Sequence, residues 1–184
     1  MNISTETFIV LDFETTGLSP QKGDKIIEIG VTKIEGGVLL RPYSRFVHPK
    51  KEIPYYITQI TGITNANVAN APVIEDILPK FRKYLSDSVL VAHNASFDMK
   101  FLNITLHANN MKPVSKYICT LNALRNLKRK GLYDASSCKL DVACDYFGIE
   151  QKSHHRAGDD AYVTAQLFLK IAELDTSVLQ VEEF

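Results

Sequence analysis

Several absences narrow the field before any motif is read. Neither sign of charge is in excess: Lys+Arg and Asp+Glu are both 21 in 184 residues, a formal net charge of zero. That excludes a chain acting as a general basic coat for nucleic acid, but leaves room for a local basic groove beside an acidic site. Cysteine is scarce. Cys119, Cys138 and Cys144 form no C-x-x-C pair and are odd in number, which points to buried thiols in a reducing compartment. A zinc site from Cys138, Cys144 and His154 would have a spacing that matches no standard pattern. No apolar run approaches the length of a membrane span, and residues 1–6 lack the basic region and apolar core of a signal peptide. Repeats, low-complexity tracts and linkers are missing too. With 45% hydrophobic residues, the sequence predicts one soluble, cytoplasmic domain over 1–184, with a core of about 7–174 and a short tail of 175–184.

The patterning predicts an α/β fold. Phe8-Ile9-Val10-Leu11 reads as a buried strand, and residues 25–34 as a second, with Ile27, Ile29 and Val31 facing one core. After the turn at Glu35-Gly36-Gly37 a third strand returns over 38–47, completing an antiparallel meander. Residues 48–72 form a connector, in which 55–61 makes a short helix closed by Gly62. Helices are expected over 72–85, 96–109, 121–127, 139–147 and 158–173, with short buried strands at 89–92 and 117–119. Pro79 falls inside the first of these helices and should kink it. A meander followed by strand, helix, strand, helix argues for a mixed five-stranded sheet, antiparallel and parallel, flanked by helices.

Three stretches carry chemistry. In Asp12-Phe13-Glu14-Thr15-Thr16-Gly17 the strand alternation points Asp12 and Glu14 the same way. Two carboxylates side by side repel and lose solvation, and a hard divalent cation is the natural compensation; two solvated acids at a strand end would be the bland alternative. His93-Asn94-Ala95-Ser96-Phe97-Asp98 lies where a buried strand gives way to a helix, so Asp98 can approach that pair or simply favour the helix dipole. In His154-His155-Arg156-Ala157-Gly158-Asp159-Asp160-Ala161 the helical phase separates the acids. Asp160 shares a stripe with Val163, Thr164, Leu167, Ile171 and Leu174, and Asp159 shares one with Gln166, Lys170 and Glu173. Asp160 is therefore the ligand candidate and Asp159 a solvated acid. His155, nearer the helix start, can fold back over the site, while His154 faces outward.

In order and spacing, D-F-E-T-T-G, H-N-A-S-F-D and H-R-A-G-D-D-A resemble the three motifs of DnaQ-like (DEDDh) 3′→5′ exonucleases, the family of the proofreading epsilon subunit of DNA polymerase III. The resemblance runs from Phe8 to about Leu174, and three ordered motifs are far more specific than one. It implies an RNase H-like fold in which Asp12, Glu14, Asp98 and Asp160 hold two Mg²⁺ or Mn²⁺ ions. Glu14 and His155 would be the catalytic groups, His155 taking the proton of the attacking water. The substrate would be single-stranded nucleic acid, DNA favoured over RNA, with a DNA polymerase or other replication partner and no membrane. Backbone N–H groups of Thr15, Thr16 and Gly17 could hold the terminal nucleotide. Leu18 and Ile60 could pack on its bases, His93 could contact the substrate, Asn94 could touch its backbone or cap the helix, and Phe97 stack or serve the core. Lys128-Arg129-Lys130 reads as a solvated loop, with phosphate contact as its alternative role.

Overall fold

The structure is a computed structural model that describes residues 2–86, 88–151 and 155–184. β1 (Thr7–Thr15) is apolar on both faces over its first half. Ile9, Leu11 and Phe13 enter one core, while Phe8 and Val10 enter a second. It pairs antiparallel with β2 (Ile26–Glu35). The returning strand, expected as one piece over 38–47, is two: β3 (Val38–Leu39) and β4 (Tyr43–Phe46), both on β2. Pro42 separates them, and a proline cannot donate to a sheet ladder.

The connector holds α1 (Tyr55–Thr61) and a one-turn α2 (Asn65–Val68), which a reciprocal Thr64–Asn67 capping box starts. α3 (Ile74–Leu85) begins two residues later than expected, because Val73 is held in an isolated parallel bridge to His48. Pro79 is accommodated within it. There follow β5 (Val89–Ala92), α4 (Ser96–Ala108), β6 (Lys116–Cys119), α5 (Thr120–Arg129), α6 (Leu140–Phe147), α7 (Ala157–Leu174) and β7 (Glu182–Glu183).

The described residues form one mixed sheet in the order β3-β2-β1-β5-β6-β7, with β4 also on β2. β1, β5 and β6 are mutually parallel, and β2 and β7 are antiparallel to their neighbours. The α/β class and mixed sheet are as expected, but the strands number seven rather than five. The break at Pro42 adds one, and β7 adds the other. That last strand also corrects the picture of a core ending at residue 174. Val178 and Leu179 are buried in the second core, and Glu182 accepts hydrogen bonds from the Tyr117 hydroxyl and the Asn122 amide. Leu174, expected to face inward, is 48% exposed.

α3 and α4 cover one face of the sheet; α5, α6 and α7 cover the other. β2, expected to be buried on one face, is buried on both. The second face lies against α7 so closely that a Cβ on Gly30 would overlap the Ala157 carbonyl. A bulge separates the facing pairs Glu14–Glu28 and Thr15–Ile26. The extra residue, Ile27, drops out of alternation into a satellite core with Ile53, Ile57, Ile63 and Val68.

Candidate active site

The topology itself opens a gap at one end of the sheet. β5 pairs with β1 only from Phe8 to Val10, then turns away into α4. Asn94 makes that turn at φ 60°, a left-handed conformation that asparagine tolerates. β1 continues to Thr15 with no strand among the described residues beside this edge. Asp98, in the first turn of α4, fills part of the gap: its Oδ1 accepts the Phe13 N–H at 3.1 Å. Ligand sites of open sheets form where neighbouring connections diverge in this way.

Alternation does the rest. Because Phe8 and Val10 face α7, so do Asp12 and Glu14. α7 answers with Asp160, buried at 7% exposure in its first turn, while Asp159 on the next position is half-exposed. The helical phase thus separates the two acids as the sequence indicated. His155 is exposed and sits at φ 58°, also left-handed. One ligand atom from each of Glu14, His155 and Asp160 lies within 4.8 Å of the others. Asp12 and Asp98 lie outside that tight group, yet all four carboxylates and His155 line a single cavity of about 550 Å³. His154 falls outside the described residues, as does any zinc site that would use it.

The electrostatics are those of an acid cluster short of positive charge. Burial, then Asp98, Glu14, Asp160 and Glu28, push the Asp12 carboxyl well above the usual carboxylate range. Asp98 is also raised well above it, by burial and by Glu14, against the Phe13 N–H that lowers it. Glu14 is pushed up to about 8 by burial, Asp160 and Glu28, with Arg156 acting in the opposite sense. Such shifts mark a place where a bound cation would replace protons. The donor set fits one: clustered hard carboxylate oxygens in a partly buried cavity suit divalent cations that prefer oxygen.

The expected substrate contacts divide into two groups. Leu18, His93, Asn94 and Phe97 line the cavity. Leu18 is 80% exposed at its mouth. Phe97 serves the wall and the core at once, since its ring also packs on Phe101 at 5.0 Å. His93 Nδ1 pairs with Thr120 Oγ1 at 3.0 Å, and burial, opposed by a Cys138 backbone contact, pushes its pKa down to about 4. Asn94 does not cap α4 through its side chain. Thr15, Thr16, Gly17 and Ile60 do not line the cavity. The Thr16 N–H is committed to the Lys25 carbonyl at 2.8 Å, so it cannot hold a nucleotide. Gly17 is needed because the Asp24 carboxylate occupies the space its Cβ would take, where it accepts the Ser19 N–H. Ile60 is exposed on α1.

Four residues escaped the sequence. Gln151 lines the cavity and donates from Nε2 to Asp160 Oδ1 at 2.8 Å, leaving its own buried Oε1 without a partner among the described residues. Lys139, at the start of α6, stands in the wall and brings a basic side chain to the cavity. The run at 128–130 is instead spent on bonds to Ala135, Asn126 and Asp175. Glu28 and Arg156 form an ion pair behind the carboxylates. Only a local motif can be seen from the sequence; these partners lie up to 128 residues apart.

A mixed sheet with a carboxylate cluster and a histidine at the diverging ends of its strands defines an RNase H-like fold carrying a site suited to divalent cations. Comparison with known proteins carries this further: the family model described as Exonuclease (RNase T) matches residues 9–168, and the chain belongs to that family. The DNA polymerase III subunit epsilon of Aquifex aeolicus is 35% identical over 173 residues, covering 94% of this chain and 83% of that protein. The PolC-type DNA polymerase III of Thermotoga maritima is 43% identical over 169 residues, which span 91% of this chain but only 12% of the polymerase. Among solved structures, Exonuclease X in complex with 5′-overhanging duplex DNA superposes with a TM-score of 0.72 at 28% identity, over 94% of this chain and 99% of that one. No helix of the described residues is long and apolar enough to cross a membrane.

Proposed function

We propose that the chain is a divalent-cation-dependent 3′→5′ exonuclease that releases nucleoside 5′-monophosphates, one at a time, from the 3′ end of single-stranded DNA. The observation that carries this is the convergence of Asp12, Glu14, Asp98, Asp160 and His155 on one cavity. Asp12, Glu14, Asp98 and Asp160 would hold two Mg²⁺ or Mn²⁺ ions. When bound, such a pair supplies Lewis-acid activation of water and neutralises the leaving 3′ oxygen. His155, exposed at the mouth, takes the proton of the attacking water on a ring nitrogen, and Glu14 orients that water. Leu18 and Phe97 offer apolar surface to the terminal base, Asn94 and His93 line the sugar–phosphate side, and Lys139 offers charge to a phosphate. The whole of 1–184 acts as one exonuclease domain.

Similarity to polymerase III proteins supports a proofreading or repair role beside a DNA polymerase, in the cytoplasm. The same chemistry would cleave RNA if the cavity admits a 2′-OH. Matched 5′-labelled single-stranded DNA and RNA, each incubated with Mg²⁺, Mn²⁺ or EDTA, test the reading. Stepwise shortening of DNA with either cation, and none with EDTA, is expected. Persistent cleavage in EDTA would contradict the cation-dependent mechanism, and faster loss of RNA would reassign the substrate.

A further inference from the structure

The chemistry above leaves one buried charge unused. Glu28 is 1% exposed on β2 and stands opposite Glu14 in the β1–β2 register. Like charges facing each other across a ladder repel, and Glu28 adds to the burden on both Asp12 and Glu14. A carboxylate there persists only if it is paired and fully hydrogen-bonded.

Its partners all come from the start of α7. Arg156 Nε donates to Glu28 Oε2 at 3.2 Å and its terminal nitrogen donates to Oε1 at 3.1 Å, a two-point fork. The Ala157 N–H donates to Oε2 at 3.1 Å. Arg156 is the N-cap of α7, and no side chain of its own caps that helix. Glu28 therefore closes the helix start from a neighbouring strand, with its charge at the favourable end of the dipole. The Arg156 guanidinium also lies over the Phe46 ring, 5.3 Å from its centroid. Gly30 and Gly158 remove the side chains that would hold α7 away from β2 and β4. His155 directly precedes this clamp, and Asp160 follows it by one turn, its N–H bonded to the Arg156 carbonyl at 2.9 Å.

We propose that Glu28 and Arg156 are positioning residues for the reaction: their clamp fixes the first turn of α7 on β2, so that His155 and Asp160 face Asp12 and Glu14. The inference rests on the exonuclease reading above. A half-buried ion pair that served stability alone would leave the activity of correctly folded molecules untouched. A clamp that sets geometry would not, because a displacement of about 1 Å can cost about 100-fold in rate. Lysine keeps the charge at 156 but cannot make the planar fork.

The test compares the wild-type chain with Glu28→Gln and Arg156→Lys on a 5′-labelled oligodeoxynucleotide with Mn²⁺, well below each chain's melting temperature. Mn²⁺ binding is measured in parallel by calorimetry. With wild-type circular dichroism retained, kcat is expected to fall about 100-fold while KM stays within about threefold. Mn²⁺ affinity is expected to weaken about tenfold, the usual scale for disturbing the groups behind a metal ligand. If Glu28→Gln does not fold, Arg156→Lys decides. Folded variants with wild-type kcat and Mn²⁺ affinity overturn the clamp. A wild-type chain inert on DNA and RNA overturns the exonuclease reading instead, and the Mn²⁺ affinity of Arg156→Lys then still tests the clamp.

Discussion

Two walls of the same cavity each present a histidine and an acid, and they are built differently. The wall at the end of β5 carries His93 and Asp98, both tied down: His93 pairs with Thr120 and Asp98 accepts the Phe13 N–H. The wall at the start of α7 carries His155 and Asp160, set by the Glu28–Arg156 pair behind them and by Gln151 beside them. His93 is half-buried, with its pKa pushed down to about 4, whereas His155 is exposed in a left-handed backbone conformation. A group that must exchange protons with water needs exposure, and a group that shapes a wall needs burial. The first wall is scaffold with one ligand candidate; the second is where proton transfer can occur.

The largest expected effect falls on two acids of the cluster, Asp12 on β1 between the walls and Asp160 on the second wall. Asp12→Asn or Asp160→Asn should lower kcat by about 10⁴-fold, since groups that act as a unit fail together. Single-turnover cleavage of labelled DNA, on chains shown to be folded, checks this. Next come the histidines. His155→Gln should cost about 10²- to 10⁴-fold in kcat, the usual range for a general base. His93→Phe should cost less than about tenfold, because that ring exchanges no proton at neutral pH. Comparable losses from both substitutions would erase the distinction between the walls.

Thermal melts in EDTA across pH give a subtler contrast. The folded-state pKa of Glu14 is raised from 4.5 to about 8. Its contribution to stability is therefore fully present below about 4.5 and is lost as pH rises through 8. For His93 the folded-state value is depressed from 6.5 to about 4. Its contribution is present above 6.5 and is lost as pH falls toward 4. The cation-free chain should thus be most stable on the acid side, between about 4.5 and 6.5. Glu14→Gln should flatten the alkaline arm and His93→Phe the acidic arm. Added Mg²⁺ or Mn²⁺ should flatten the alkaline arm as well, by taking the place of the proton. The smallest effect belongs to Asp159→Asn, a half-exposed neighbour, which should shift stability by no more than about 0.5 kcal/mol. Its cleavage rate should match that of the wild-type chain.

What could be read from the sequence was local. Strand alternation aligned Asp12 with Glu14, and helical phase separated Asp160 from Asp159; both follow from backbone periodicity alone. The mixed sheet was likewise legible from the order of apolar runs, although Pro42 splits one strand and the last residues add another. The misses depend on pairings that periodicity does not encode. Glu28 sits in an apolar strand and finds Arg156 across 128 positions. Gln151 reaches Asp160 from a loop without regular structure. The Thr15-Thr16-Gly17 turn invites a nucleotide on paper, but Lys25 and Asp24 have already taken the Thr16 amide and the space beside Gly17.

The central claim is that the carboxylates of β1, α4 and α7 form one cation site. Calorimetric titration of Mn²⁺ into the wild-type, Asp160→Asn and Asp159→Asn chains at neutral pH addresses it most directly. Saturable binding to the wild-type and Asp159→Asn chains, weakened at least about tenfold in Asp160→Asn, is the predicted result. Equal affinity in all three chains, or a loss confined to Asp159→Asn, would contradict it.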